Sequence, residues 1–178
     1  GNDENAAVLE MTLVGGTFRF THNAAIALTD SDFGAMLDGE RLQMWESAQV
    51  QPGAILRLNA TRSGARCYLC VQGGIAVEPL LGSASTHLLS GLGGFEGRAL
   101  RRGDVLRIGP ATEPFRKRHA NAEALQAFAP RKVLRVTTGP QAGWFPESAL
   151  RAFYGAAYRV AETSNRMGLR LEGASVAL

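Results

Sequence analysis

The chain has 178 residues, of which 46% are hydrophobic and 20% are charged, a composition typical of one globular domain and not of a disordered chain. Its 19 basic and 16 acidic residues leave a formal net charge of +3, which is too weak a bias to indicate nucleic-acid binding. No apolar stretch approaches the roughly 20 residues of a membrane-spanning helix, and the polar start, Asn2 to Asn5, does not resemble a signal peptide. We therefore expect neither a nucleic-acid nor a membrane partner.

Alternation of apolar and polar residues predicts a strand over Ala7–Val14, with Leu9, Met11 and Leu13 on one face. Two glycines precede a second predicted strand, Thr17–His22, and we expect the two strands to pair as a hairpin. Similar patterns predict further strands over Ala24–Thr29, Arg66–Gln72, Lys132–Thr137, Tyr158–Glu162 and Leu169–Leu171. The segments Gln51–Leu58 and Arg101–Ile108 are each predicted to be a turn that leads into a strand.

Signals for helices are few. Ala122–Phe128 and Pro146–Tyr154 are each predicted to form a short helix, the second with proline at its start and Gly155 at its exit. The polar stretch 110–130 contains three prolines and is predicted to be a linker or a long excursion. Many short strands separated by turns and little helix predict an all-β barrel or sandwich.

The two cysteines, Cys67 and Cys70, lie three positions apart in a predicted strand. Side chains alternate between the faces of a strand, so this pair is expected to point in opposite directions. That geometry disfavours a disulfide and a shared metal, and the three histidines add no suitable ligand spacing. We predict buried structural cysteines, no metal site and a reducing, cytoplasmic location.

The segment 81–104 is the densest concentration of glycines and hydroxyl groups. Ser83, Ser85 and Thr86 stand in one short glycine-containing loop, where hydroxyls and backbone N–H groups can hold a carboxylate or phosphate. Arg98 can supply a charge-assisted partner for the same anion. The alternative is that the hydroxyls cap turns and that Arg98 pairs with Glu96 or with a carbonyl.

Two later residues complete the predicted substrate-binding set. Gln141, after Gly139 and Pro140, can hydrogen-bond a ligand amide, or it can simply belong to a turn at the end of a strand. Arg166, in a predicted turn, can bind an anion or brace neighbouring loops. No serine–histidine–acid arrangement can be defended, so the catalytic residues stay unassigned.

Several short motifs together resemble one known family, the biotin-dependent carboxyltransferase or allophanate hydrolase subunit 2 family. The family includes the C subunit of bacterial 5-oxoprolinase, the sporulation-inhibitor antagonist KipA and part of the carboxyltransferase region of urea carboxylase. The motifs occur in order along nearly the whole chain: Gly1-Asn2 with Ala6–Glu10, Tyr68–Ile75, Leu81–Thr86, Gly93–Leu100 with Gly103-Asp104, Gly139–Gln141 and Arg166–Leu171.

This resemblance implies a cyclophilin-like β-barrel, incomplete at both ends because family members run to about 300 residues, with residues 1–178 forming the central part of the longer family domain. It also implies a partner, a subunit 1 homologue, joined in the 5-oxoprolinase system by a third subunit of the LamB/YcsF type. ATP hydrolysis there drives the opening of the lactam ring of 5-oxoproline. ATP and carboxybiotin are therefore cofactors implied for the system, and neither is assigned to this chain directly.

Three functions follow as hypotheses from the resemblance. The first is a subunit of an ATP-dependent amide or lactam hydrolase of the 5-oxoprolinase type, inactive without its partner subunits. The second is a carboxyltransferase component that acts on urea or a similar amide. The third is a regulatory binding protein without catalysis, as the antagonist KipA suggests.

Overall fold

Two compact units, residues 1–130 and residues 131–178, make up the structure. The computed structural model describes residues 2–128, 136–164 and 168–175. In the first unit the elements are β1 (Leu9–Thr12), β2 (Thr17–Arg19), β3 (Ala24–Asp32), β4 (Met36–Leu37), β5 (Glu40–Arg41), β6 (Ser47–Val50), β7 (Ile55–Arg57), β8 (Ser63–Val71) and α1 (Ala122–Ala127). The second unit holds a 3-10 turn (Ala142–Trp144), α2 (Glu147–Gly155), β9 (Tyr158–Val160) and β10 (Leu171–Gly173).

The strands of the first unit form two antiparallel sheets. The first sheet has the order β1-β8-β3-β6, and the second has the order β2-β7-β4-β5. Its hairpin β4–β5 turns through Asp38 and Gly39, which both have positive φ, as a two-residue hairpin requires. A mainly β fold with two helices is thus confirmed, and within the described residues the ladders do not close into a barrel, which agrees with an incomplete one.

The core of the first unit lies on the inner faces of these strands. Ile26 and Leu28 of β3 are buried with Cys67 and Leu69 of β8, whereas Ala27 and Cys70, on the opposite face, are half-buried. Period-two alternation therefore predicted both the strands and the opposed cysteines correctly. Each fully buried large aliphatic side chain contributes about 1.5–3 kcal/mol of hydrophobic stabilisation, so this core fixes the two sheets.

The predicted hairpin between the first two strands is wrong. β1 pairs with β8, and β2 pairs with β7 in the other sheet. Leu13, expected on the inner face, has a φ of 60° and is 55% exposed. The chain bends there, and the Gly15 N–H donates to the Asn59 carbonyl at 2.9 Å. The residues that follow β1 therefore bond to the segment between β7 and β8, and not to β2.

The predicted strand over Arg101–Ile108 is also wrong. Its turn forms, with the Asp104 N–H donating to the Arg101 carbonyl at 3.1 Å. The following residues make only an isolated bridge, between Ile108 and Ile75. Val105 is 78% exposed, so no sheet receives the apolar face that the pattern suggested.

Within the predicted excursion over 110–130, residues 116–120 lie along the edge of the first sheet. The Ser47 N–H donates to the Arg118 carbonyl at 2.8 Å, and the Ala120 N–H donates to the Trp45 carbonyl at 2.9 Å. Asn121 then caps α1 by accepting from the Ala124 N–H at 2.7 Å. The helix was predicted correctly, and the edge of β6 is covered. Assignment of all 178 residues to one domain stays a prediction.

In the second unit, α2 and the pair β9–β10 lie where the sequence predicted a helix and two strands. Pro146 stands just before α2 as its N-cap residue, and Ala149 is the buried residue of the helix. The predicted strand Lys132–Thr137 lies mostly outside the described residues. In the described ranges, no helix combines the length and apolar character that crossing a bilayer requires.

Candidate functional site

The hydroxyl-rich segment begins with a tight turn. Leu80 and Ser83 exchange two backbone hydrogen bonds, at 2.9 and 3.0 Å. The two residues between them, Leu81 and Gly82, both have positive φ, which matches a two-residue hairpin turn. The Ser83 hydroxyl accepts from the Ser85 N–H at 3.2 Å, so in this structure it caps its own turn, as the alternative interpretation of the sequence proposed.

The glycine run 91–97 packs directly against the next residues of that segment. The His87 N–H donates to the Leu92 carbonyl at 2.8 Å, which folds the chain back on itself. A Cβ atom on Gly94 would overlap the Thr86 hydroxyl, and one on Gly93 would crowd the Ser85 carbonyl. Both glycines also have positive φ. Glycine is therefore required at both positions, because the backbone has positive φ and passes close to its neighbours. Ser85 and Thr86 are in contact with this glycine run.

Arg98 makes every hydrogen bond that its guanidinium can make. Nε and Nη2 donate to the Glu96 carboxylate at 3.0 and 2.5 Å. Nη1 and Nη2 donate to the two oxygens of Asp104 at 2.7 and 3.0 Å, and Nη1 also donates to the Ala99 carbonyl at 3.1 Å. A guanidinium has five N–H donors, and all five are used within residues 96–104.

These contacts set the electrostatics of the loop. The Arg98 guanidinium, followed by the Arg101 N–H at 2.6 Å, lowers the pKa of Asp104 to about 2. The bond to Asp104, more than the one to Glu96, raises the pKa of Arg98. Two carboxylates against one guanidinium leave a local charge of about −1. Arg98 thus has neither a spare donor nor excess positive charge to offer to an anion in this arrangement.

The structure does not relate the two remaining predicted site residues to this loop. Gln141 is exposed in the second unit, where its carbonyl accepts from the Trp144 N–H at 3.0 Å as the 3-10 turn begins. Arg166 lies outside the described residues. The structure therefore brings Ser85 and Thr86 to the glycine run. Binding of one anion by Ser83, Ser85, Thr86, Arg98, Gln141 and Arg166 stays a prediction.

A cavity that the sequence did not indicate lies in the first unit, with a volume of about 530 Å³. Its floor is the outer face of the first sheet, where Ala25, Ala27 and Cys70 have small side chains. The segments 2–8 and 113–120 form its walls. This size is typical of a small-molecule pocket. None of the predicted substrate-binding residues lines it. No sequence motif marks it, because the tertiary fold alone brings its walls together.

The cysteines show no sign of activation. Burial raises the pKa of Cys67 to about 11, and it raises the pKa of the Cys70 thiol as well. A raised pKa means little thiolate at neutral pH and hence an unreactive sulfur. Across the part of the chain that is described, no three His, Cys, Asp or Glu side chains come together in a way that could hold a metal ion.

Comparison with known proteins identifies the family. The family model for the carboxyltransferase domain, subdomain A and B, matches residues 1–178. The chain belongs to this family of carboxyltransferase domains. The fold agrees, because this carboxyltransferase domain superposes on the structure of Kluyveromyces lactis urea carboxylase with a TM-score of 0.83 at 30% identity, over 98% of this chain and 16% of that one.

Relatives of this carboxyltransferase domain carry two kinds of name. It is 36% identical over 173 residues to the C subunit of 5-oxoprolinase from Escherichia coli, which covers 97% of this chain and 54% of the relative. It is 32% identical over 186 residues to urea amidolyase of Saccharomyces cerevisiae, covering 97% of this chain and 10% of that protein. The chain thus spans about half of the bacterial relative and a small part of the yeast one.

Proposed function

We propose that this chain is part of a 5-oxoprolinase-type enzyme that opens a lactam or amide in an ATP-dependent reaction. The observation that carries the proposal is the 36% identity to the C subunit of 5-oxoprolinase across 97% of the chain. The match to a carboxyltransferase family model over all 178 residues supports it. We therefore propose for this chain the enzyme class of its bacterial relative, 5-oxoprolinase.

The loop 82–97 is the proposed substrate-binding region. The substrate 5-oxoproline is a small lactam with a carboxylate, so its binding needs hydrogen-bond donors for an anion and little apolar surface. The positive-φ glycines 93 and 94 lie against the Ser85 carbonyl and the Thr86 hydroxyl, and such backbone favours concave groups of N–H donors for anions. We assign the carboxylate of the substrate, or a carboxylated intermediate, to this loop, and Gln141 and Arg166 remain predicted binding residues of the chain.

We place ATP turnover on a partner subunit and not on this chain. A triphosphate needs cationic donors, and Arg98, the arginine that follows the glycine run, has all five donors bonded to protein acceptors. Arg98 therefore has no donor to offer to a triphosphate in this arrangement. The proposed partners are a subunit 1 homologue and a third subunit of the LamB/YcsF type, and the proposed location of the complex is the cytoplasm.

A second candidate function is carboxyl transfer to urea or a similar amide. The TM-score of 0.83 to a urea carboxylase and the 32% identity to urea amidolyase favour it. In that reaction carboxybiotin supplies the carboxyl group, and the hydroxyls of Ser85 and Thr86 are the groups of this loop that would face it. The two candidates share the loop and differ in the substrate that it binds.

Reconstitution tests the proposed function. The full-length protein, combined with its partner subunits, is incubated with ATP and 5-oxoproline, and glutamate formation is measured with and without this protein. We expect glutamate only when all subunits are present. Absence of glutamate from the complete mixture, together with carboxylation of urea by carboxybiotin, would replace the first candidate by the second.

Two variants locate the reaction on the loop. Ser85→Ala and Thr86→Val remove the proposed hydroxyl donors, and we expect the KM for 5-oxoproline to rise about tenfold for the pair, as for the loss of a hydrogen bond to a charged group. Ser63→Ala, which changes an exposed serine of β8 outside this loop, is the matched control. KM values of Ser85→Ala and Thr86→Val equal to those of the control and of the unchanged protein would remove the hydroxyls from the site.

A further inference from the structure

Arg98 joins two residues that lie on either side of it in the chain. Glu96 precedes it by two positions and Asp104 follows it by six, and the guanidinium bonds to both carboxylates. The Asp104 carboxylate also accepts from the Arg101 N–H. The side chains of Arg98 and Asp104 are only 27% and 16% exposed. The cluster therefore closes residues 96–104 into a ring of hydrogen bonds, in which the Arg98–Asp104 pair is partly buried and Glu96 is exposed.

The same cluster lies against the glycine run. The guanidinium lies over the Phe95 ring, 5.2 Å from its centroid, a distance within the range for a cation–π contact. Gly97 is the buried residue of the segment 76–108, and a Cβ on it would overlap the Gly91 carbonyl. Arg98 thus follows directly on the residue that packs the run together, and the run in turn contacts Ser85 and Thr86.

We propose that Arg98 and Asp104 are positioning residues, which hold the segment 91–104 against Ser85 and Thr86 and do not themselves contact the substrate. The proposal rests on the proposed function for the identity of the substrate. It replaces the anion-binding role that the sequence suggested for Arg98 with a role in preorganisation. The loop donors then face the substrate without having to be ordered when it binds.

The arrangement favours this role over direct anion binding for two reasons. An incoming carboxylate would have to displace Glu96 or Asp104, because no N–H of Arg98 is free. The two carboxylates also outnumber the guanidinium, so the cluster repels a further anion at close range. Binding of an anion by Arg98 would therefore break its hydrogen bonds to Glu96 or Asp104, which stabilise the segment 96–104.

A double-mutant cycle separates the two roles in the reconstituted complex. Because the loop donors that bind the substrate would then have to be ordered on binding, we expect Arg98→Ala and Asp104→Asn each to raise the KM for 5-oxoproline by about tenfold. The double variant is expected to lose no more than either single variant, because residues that act as one unit are not additive. Arg98→Lys keeps the charge but has three donors instead of five and cannot bond the two oxygens of Asp104 through a planar pair of nitrogens, so it should be as impaired as Arg98→Ala.

Direct anion binding by Arg98 predicts a different pattern. Arg98→Ala would raise the KM for 5-oxoproline under either role, but Asp104→Asn would then lower it by releasing the guanidinium, and Arg98→Lys would restore part of the activity. Either of these last two results overturns the proposal. The exposed Arg102 lies in the same loop, and Arg102→Ala is the control for the loss of one positive charge, with kcat and KM expected to match the unchanged protein.

Hydrogen exchange provides a second measurement that does not depend on turnover. In the full-length protein, amides of the segment 91–104 should exchange about tenfold faster in both Arg98→Ala and Asp104→Asn than in Arg102→Ala. Unchanged exchange in the first two variants overturns the proposal. If the unchanged complex makes no glutamate, the proposed function fails, and faster exchange in those variants alone would still support the positioning role.

Discussion

The sheet region (residues 9–71) and the loop region (residues 76–108) of the first unit are held in place by different forces. In the sheet region, side chains such as Leu28 and Leu56 are fully buried and fix the strands by hydrophobic packing. In the loop region, large apolar side chains point outward, with Leu81 at 99% and Leu89 at 82% exposed. Positive-φ glycines and the Arg98 cluster take the place of a core there.

The sheet region and the loop region therefore separate stability from function within one chain. Apolar packing tolerates changes that conserve volume, so the sheet region can hold its shape with many sequences. A loop fixed by close backbone approach and by one saturated guanidinium tolerates few changes, because each contact depends on a particular residue. Functional groups are commonly found on such loops, supported by a rigid scaffold, and the family motifs 81–86 and 93–104 lie in this region.

The largest expected effect is in the sheet region. Leu28→Ala leaves a cavity in the hydrophobic core of the first unit. It should lower the free energy of unfolding by about 3 kcal/mol or more. Leu81→Ala, a matched leucine in the loop region, should change it by less than about 0.5 kcal/mol. Urea unfolding followed by circular dichroism measures both. Similar losses for the two variants would show that the loop region has a hydrophobic core of its own.

A smaller effect is expected from a glycine of the loop region. Gly97→Ala places a Cβ against the Gly91 carbonyl at a φ of 67°, and we expect a loss of about 2 kcal/mol or more from strain and overlap. The control is Gly103→Ala, where φ is 97° and the space is open, so that only the conformational part remains. Urea unfolding again measures the free energy of unfolding of both variants. Equal losses for the two would mean that the close packing of Gly97 against the Gly91 carbonyl does not stabilise the loop.

The smallest effect concerns pH and the Arg98 cluster. The pKa of Asp104 is lowered from 3.8 to about 2 by Arg98 and the Arg101 N–H, so the folded state favours the charged form. The contribution of this carboxylate to stability is therefore fully present above pH 3.8 and is lost as the pH falls through about 2.

The matched variant for this prediction is Asp104→Asn, which cannot ionise. The urea midpoint of the unchanged protein should exceed that of Asp104→Asn by a constant amount from about pH 7 down to pH 3.8, and the excess should shrink below that. An excess that grows as the pH falls would contradict the ion pair as described.

The sequence predicted the sheet region better than the loop region, for a physical reason. Strands such as β3 and β8 bury one face, so the alternation of apolar residues marks them directly. Pairing is different, because it depends on residues distant in the sequence. The hairpin of β1 with β2 was therefore predicted wrongly, and so was the strand over Arg101–Ile108, where a similar alternation meets no sheet.

The candidate site was only partly predictable. The glycines and hydroxyls of the segment 81–97 were recognisable from composition. The contact between Gly94 and the Thr86 side chain became visible only in the folded structure. The bond of Arg98 to Glu96 had been the alternative interpretation, whereas the bonds to Asp104 were not anticipated. The cavity under the segment 113–120 left no signal, because its floor is made of small, unremarkable residues such as Ala25 and Ala27.

Hydrogen exchange of the reconstituted complex, with and without 5-oxoproline, tests most directly whether the loop region binds the substrate. We predict that 5-oxoproline slows exchange of amides within residues 82–97 and leaves those of residues 113–120, beside the cavity, unchanged. Protection of residues 113–120 with no change in the loop would contradict this and would move the site to the cavity on the sheet.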